Sequence, residues 1–338
     1  MPKRTRVPPV FRPRQRGPST RWQEERRSQL LALGLGAAVI LVAAVIALFG
    51  YYQTQVRPQG ETVLEVGDRS FDLRYMERRL RYDIRNGTGT LYSVDPTNAP
   101  DRLVDTIGGE ELMRQGAPDK GVDVSDEAID AEIRVQKNVP ADADQNTFAA
   151  VYRRAVHDSG LSTEGYRDVI AAGLAQDALS AKFVEEAPKN ADQVRFRVIA
   201  LSIEDNAKTA LDRLRNGEDF AVVAQEVSED TGSSEQGGER DWTPRGILEP
   251  VLEEALFSLE IGQTSEIIPG EAAYFIVQVL ERQDQRETTT EQQSALGTQA
   301  LTEWLRGLRD SLGVTVKLDN DQRGNILEVL QSEVAEGQ

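Results

Sequence analysis

The stretch Ser228-Glu229-Asp230-Thr231-Gly232-Ser233-Ser234-Glu235-Gln236-Gly237-Gly238-Glu239-Arg240-Asp241-Trp242, continued by Arg245-Gly246-Ile247-Leu248-Glu249-Pro250-Val251-Leu252-Glu253-Glu254-Ala255-Leu256-Phe257, decides the fold. Its first half is a loop by composition, filled with Gly, Ser, Asp and Glu. The Gly237-Gly238 pair can take positive φ where other residues would be strained. Its second half is a short amphipathic helix, with Leu248, Leu252, Ala255 and Leu256 at helical spacing. Pro250 falls in the first turn, where a missing N–H costs nothing. A polar, glycine-rich loop feeding a short apolar helix can build one wall of a shallow peptide groove.

The flanks carry matching signals. Upstream stands Gly217-Glu218-Asp219-Phe220-Ala221-Val222-Val223-Ala224, and downstream Leu259-Glu260-Ile261-Gly262-Gln263-Thr264-Ser265. In this order and spacing, from about Gln193 to Arg282, the pieces resemble the parvulin (PpiC-type) family of peptidyl-prolyl cis/trans isomerases. The resemblance implies an α/β domain at 193–283. Strands are expected at Val194–Ile203 and Tyr274–Leu280, with helices near Asn206–Arg215 and Phe220–Val227, in the order β-α-α-α-β-β. It implies rotation about X–Pro bonds, against a barrier of roughly 20 kcal/mol, with no cofactor and no covalent step.

Carried over position by position, the resemblance places Asp230 on the family's central Asp or Cys, as the candidate catalytic residue. Leu248 and Leu252 stand where Met and Phe are usual in the proline pocket, Phe257 is retained, and Arg240 replaces a usual Leu. These four are the candidate substrate-binding residues. Both family histidines are substituted, the first by Val198 and the second by Phe275. The one histidine of the chain, His157, belongs to a predicted surface helix elsewhere. The family fold is therefore better supported than the activity. A catalytically silent parvulin-like chaperone, or an export-associated scaffold, stands beside the isomerase as a reading.

Charge is uneven along the 338 residues. Residues 1–27 hold nine basic and two acidic side chains, a head of +7, which leaves −24 for the rest of a chain whose total is −17. That acidic remainder excludes nucleic acid as a partner, because phosphates repel it. No charged residue occurs from Ser28 to Val56, and Leu30 to Phe49 is almost purely Leu, Ala, Val, Ile and Gly. Twenty such residues rise about 30 Å as a helix, the thickness of a bilayer core. A single transmembrane helix is expected at 28–52, with the lipid bilayer as partner. The positive-inside rule puts the head in the cytoplasm and everything after Arg57 outside, on the extracytoplasmic face of the cell membrane. A cleaved signal peptide is the rival reading. Against it, the apolar run exceeds a usual signal core and no clear small-x-small cleavage site follows.

Between the span and the parvulin-like part, residues 62–190 read as helical. Thr62–Asp68 forms a small strand and turn, and Asp72 caps a helix through Asn86 with Leu73, Met76, Leu80 and Ile84 on one face. Further helices are predicted at about Asp101–Gln115, after Ser125, at Thr147–His157, and from Ser162 to about Glu186. This layout, with Gly121-Val122-Asp123-Val124-Ser125-Asp126-Glu127-Ala128-Ile129-Asp130, resembles the chaperone region of SurA-like and PpiD-like foldases. There the isomerase domain is inserted and a C-terminal helix returns. The expected fold is thus α+β: one transmembrane helix, an all-α chaperone region, an inserted parvulin-like domain, and a returning helix at 289–316. Residues 319–338 read as a flexible tail. The partners implied are unfolded or proline-containing exported polypeptides and, as a further option, the export machinery. With one histidine and no cysteine, no usual zinc site is available and no metal is expected.

Overall fold

In the structure, a computed structural model, residues 41–47, 60–87, 92 and 95–336 are described. The basic head lies outside them, as does the expected span 28–52 apart from the helical residues 41–47. Among the described residues no helix is long and apolar enough to cross a membrane. Thr62 onward forms a unit of its own.

That unit begins with a hairpin, β1 (Thr62–Val66) and β2 (Arg69–Asp72), turning at Gly67 with φ 56°. Asp72 then stops the strand and starts α1 (Leu73–Arg85), because its carboxylate accepts the Tyr75 N–H at 2.7 Å. The next helices are α2 (Ala99–Gly116), α3 (Asp126–Gln136), α4 (Gln145–Ser159) and α5 (Thr163–Glu185). Ser125, Asp144 and Ser162 cap the last three through side-chain oxygens, each satisfying a backbone donor that the first turn leaves free. The apolar faces meet in one core that includes Leu64, Leu73, Met76, Leu80, Leu103 and Ile107. Inside it the guanidinium of Arg79, 4% exposed, bonds Asp83 at 2.8 Å and Glu110 at 2.5 and 2.6 Å. A charge so buried is tolerated only when paired.

The inserted domain departs from α5 as β3 (Asn190–Leu201) and returns as β6 (Tyr274–Glu287). These strands pair antiparallel from Asn190↔Glu287 to Leu201↔Tyr274, so exit and re-entry lie side by side. Between them come α6 (Glu204–Arg215), α7 (Phe220–Val227), β4 (Glu239–Pro244), α8 (Pro250–Ser258) and β5 (Ile268–Pro269). The sheet order is β4-β3-β6-β5. Its two faces are both covered: Ile199, Leu201 and Ile276 pack on α6 and α7, while Val194, Phe196, Val198, Val277 and Val279 pack on α8. Alternate residues of a strand point to opposite faces, and both faces here are apolar. The observed order β-α-α-β-α-β-β corrects the expected β-α-α-α-β-β by one strand, β4, which the polar composition of the loop concealed.

Beyond β6, the long helix α9 (Thr290–Leu312) packs on α5 and α2. Its Trp304 ring lies 5.6 Å from Phe183, and α2 approaches so closely that a Cβ on Gly116 would collide with Trp304 and Leu308. Strand β7 (Val314–Val316) pairs with β1, giving the sheet β2-β1-β7. The chaperone-like region is therefore not all-α, because that extended piece needs a partner for its backbone and finds it in the first strand.

Residues 319–338 were expected to be a flexible tail. Instead α10 (Asn320–Glu336) inserts Ile326, Val329 and Leu330 into the N-terminal core at 0%, 7% and 3% exposure. Arg323 binds Asp101 at 2.5 Å, and Arg85 binds Glu333 at 3.0 Å. Full burial of one such aliphatic side chain contributes about 1.5–3 kcal/mol, enough to order a helix that looks polar in sequence. Ile326→Ala should lower unfolding free energy by about 2–4 kcal/mol in urea titrations of residues 60–338. A change near zero would mean that the last helix does not belong to the folding unit.

Candidate functional site

A groove of about 490 Å³ opens on the α8 face of the four-stranded sheet. Its apolar floor comes from β3 (Phe196, Val198, Ala200), β6 (Phe275) and α8 (Leu252). The ladder accounts for this: Ala200 pairs with Phe275 and Val198 with Val277, so residues two apart on β3 and the facing residues of β6 share one surface. Leu248 also lines the groove, but from the turn before α8 rather than from the helix, since Pro250 occupies its first turn.

One wall is built by the loop after α7. Its start is laced to the end of β3: the Glu229 N–H donates to the Ala200 carbonyl at 2.8 Å, and the Ala200 N–H donates to Ser228 Oγ at 3.2 Å. Its end becomes β4, which pairs Arg240 with Phe196 and Thr243 with Val194. The hinge between is Gly237-Gly238, with φ of 68° and 78°. The Val198 N–H donates to the Gly238 carbonyl at 2.8 Å. A Cβ on Gly238 would fall inside the Val198 carbonyl oxygen, so only glycine lets β4 close on β3 here.

Asp230 and Arg240 meet at the rim. One guanidinium nitrogen, Nη2, donates to both Asp230 oxygens at 2.8 Å. Ser233 Oγ donates at 2.5 Å and the Gly232 N–H at 3.3 Å. Burial alone would raise the Asp230 carboxyl. The Ser233 hydroxyl and the Arg240 charge outweigh it and leave the group below the usual carboxylate range. Asp230 is thus an ionised carboxylate whose lone pairs are largely engaged, and it fixes Arg240 along the edge of the groove.

Six positions singled out in the sequence, Val198, Asp230, Arg240, Leu248, Leu252 and Phe275, line this one groove. Phe257, the remaining candidate, packs against the same apolar cluster but is not among the residues that line the groove. It lies one residue beyond Leu256, which faces the sheet, and that step turns it about 100° round the helix. Its ring instead carries Arg245 at 4.1 Å and Arg282 at 5.9 Å. Arg282 in turn donates to the Leu256 and Leu259 carbonyls, both at 2.7 Å, at the end of α8, where a cation suits the helix dipole. His157 is 89% exposed on α4 and has no place in the groove. Sequence reasoning passed over Phe196, Thr243 and Ala273, which also line it. Alternation along β3 was the available signal for Phe196.

Comparison with known proteins finds two matching family models. The family described as PPIC-type PPIASE domain matches residues 181–283, and that described as SurA-like N-terminal domain matches residues 25–180. The foldase protein PrsA of Caldanaerobacter subterraneus subsp. tengcongensis is 28% identical over 177 residues, 52% of this chain and 55% of that protein. The chaperone SurA of Methylococcus capsulatus is 35% identical over 156 residues, 42% of this chain and 34% of that protein. The crystal structure of peptidylprolyl isomerase (PrsA) from Bacillus anthracis is 21% identical, with 67% of this chain and 95% of that chain covered and a TM-score of 0.38. The chain spans about half the length of the PrsA relative.

The depressed Asp230 carboxyl fixes a pH dependence. Its stabilising contribution is fully present above the unfolded value of about 3.9 and is lost as pH falls through the lower folded value. Urea unfolding between about pH 2 and 6 should show the native protein losing stability more steeply below about pH 4 than Asp230→Asn. Parallel profiles would show that the pair with Arg240 contributes nothing.

Proposed function

We propose that this chain, which carries a PPIC-type peptidyl-prolyl isomerase domain and a SurA-like N-terminal domain, is a membrane-anchored foldase that accelerates X–Pro isomerisation in exported polypeptides. The observation that carries the reading is the groove itself: an apolar floor sized for a proline ring and its neighbour, with a guanidinium held at the edge. Rotation about X–Pro breaks amide conjugation, which makes the carbonyl less polar and returns a lone pair to the prolyl nitrogen. A site that excludes water binds such a twisted amide better than the planar, well-solvated one, and only that difference speeds the reaction. Arg240 has donors besides the Nη2 that Asp230 occupies. In this reading they hold the substrate carbonyl or meet the prolyl nitrogen, and Asp230 acts as a positioning residue rather than as an acid or base.

Anchoring and export are proposed from the sequence: the uncharged run Leu30–Phe49 behind a head of nine basic residues supports a signal anchor with the folded part outside. Val198 and Phe275 support a second reading. They supply only hydrocarbon where the family has imidazoles, so a foldase that holds unfolded segments without catalysis keeps the same groove.

The ectodomain from Gly60 should accelerate isomerisation of a proline tetrapeptide, followed by protease-coupled or NMR exchange kinetics. Leu252→Ala and Arg240→Ala should each reduce kcat/KM by about tenfold, or ~1.4 kcal/mol of transition-state binding. Leu248→Ala, at a half-buried position, should reduce it with little loss of stability. A folded ectodomain that leaves the uncatalysed rate unchanged sinks the catalytic reading and leaves the chaperone.

A further inference from the structure

The wall of the groove contains a carboxylate that takes no part in holding Arg240. Glu229 lines the groove beside Asp230. Its backbone N–H is committed to the Ala200 carbonyl, and its side chain is held as well. The Ser202 N–H donates to Oε2 at 3.0 Å, and Ser202 Oγ donates to Oε1 at 3.2 Å. Ser202 stands one residue past the end of β3 and two past Ala200 in the floor. Each carboxylate oxygen thus has a donor from one fixed residue. Both donors are neutral, so they set the position of the group and leave its charge in place.

Three charged side chains line the groove: Glu229, Asp230 and Arg240. Two of them cancel, because Arg240 gives Nη2 to both Asp230 oxygens at 2.8 Å. Glu229 has no ion-pair partner among the described residues. Cations close to it in sequence or to the groove are engaged elsewhere. Lys208 of α6 is shared by Glu204 and Asp205 at 3.0 and 3.1 Å, and Arg245 lies over the Phe257 ring at 4.1 Å. The lining therefore keeps one surplus negative charge, and it resides on a group that is already oriented.

We propose that Glu229 makes the groove selective for prolyl segments in which lysine or arginine stands next to the proline. The proposal rests on the reading that the apolar floor holds the proline ring, and it assigns the clients a chemistry. Two residues of strand cover about 6–7 Å, so Ser202 and the carboxylate it holds lie within reach of a long side chain on the residue beside that ring. An exposed ion pair usually contributes little, because two mobile side chains must be ordered to form it. Here one partner is ordered beforehand, which lowers that cost. A glutamate in the same place meets a like charge. The rival reader of a carboxylate is Arg240, but Asp230 balances its charge, so an acidic neighbour gains hydrogen bonds there without net attraction.

The test uses four proline tetrapeptides, with lysine or glutamate before the proline and lysine or glutamate after it, and the full-length chain in non-ionic detergent. NMR exchange kinetics give isomerisation relative to each peptide's own uncatalysed rate, and shift titrations give affinity. In at least one position lysine should exceed glutamate by about fivefold in both quantities at low salt. That margin should vanish near 1 M salt, where the screening length is about 3 Å. Glu229→Gln should remove the margin and Glu229→Lys should reverse it, a reversal that a merely structural glutamate would not produce. Ser202→Ala, which keeps the charge and releases its orientation, should shrink the margin. Equal values for lysine and glutamate at both positions overturn the proposal. So does a lysine preference that survives Glu229→Gln, which would assign it to the acidic chain as a whole, and so does a glutamate preference, which would assign selection to Arg240. Lysine-selective binding with no peptide accelerated would sink the catalytic reading and keep this one. Equal acceleration of all four would do the reverse, and a groove that binds none of them would sink both.

Discussion

The antiparallel ladder between β3 and β6 is the constraint on which the rest of the inserted domain depends. It runs from Asn190↔Glu287 to Leu201↔Tyr274, and the Thr288 N–H extends it by donating to the Lys189 carbonyl at 2.9 Å. An antiparallel pair brings the two ends of everything between them together, so the 72 residues between Leu201 and Tyr274 can be inserted without displacing α5 from α9. The ladder also fixes which side chains share a face. With Ala200 opposite Phe275, the groove floor follows from register alone, and a slip of one residue would exchange the floor for the face that packs on α6 and α7. Gln193, 0% exposed, anchors the register by donating to the Arg286 and Glu287 carbonyls at 3.3 and 3.2 Å.

On that platform the groove is polar only at its rim. Two positions that carry imidazoles in the resembling family are hydrocarbon here, and both lie in the floor, where an unpaired imidazole would be costly to bury. Charge has moved outward to Asp230 and Arg240, joined across the loop. Each group holds the other: the carboxylate keeps a flexible cation in one geometry, and the cation keeps the carboxylate ionised. Their partial exposure limits what the pair adds to stability. Its larger effect is orientation: the loop between them is otherwise held by backbone bonds, the Ser233 hydroxyl, the Gln225 amide on the Glu235 carbonyl and the Arg195–Glu239 pair.

The parts of this architecture that were legible in the sequence are those set by local chemistry. Asp72, Ser125 and Ser162 cap helices because their side-chain oxygens reach N–H groups a few residues on. Pro250 begins α8 and Gly237-Gly238 takes positive φ for equally local reasons. What was hidden depends on distant partners. Strand β4 is written Glu239-Arg240-Asp241-Trp242-Thr243-Pro244 and has no apolar alternation, because it is an edge strand of which only Pro244 is buried. Strand β7 exists because β1 lies beside it. The last helix clusters Ile326, Leu327, Val329 and Leu330 among polar residues, a narrow stripe that becomes decisive when the N-terminal core is there to receive it. Phe257 stands off the groove lining for a geometric reason, a single residue of helical rotation past Leu256.

Helix α9 joins the groove wall to the helical core. At its start Gln292 donates to Gln193 Oε1 at 3.1 Å and to the Trp242 carbonyl at 2.6 Å, the latter on the strand that walls the groove. One turn on, Leu296 packs where a Cβ on Gly246 would stand 3.3 Å from it. Farther along, Trp304 packs on Phe183 of α5. A single 23-residue helix therefore spans from the groove wall to the helical core. On the proposed function this geometry changes what the groove must achieve. A client held by the helical region meets the groove at an effective concentration set by the chain between the two sites, not by the bulk solution.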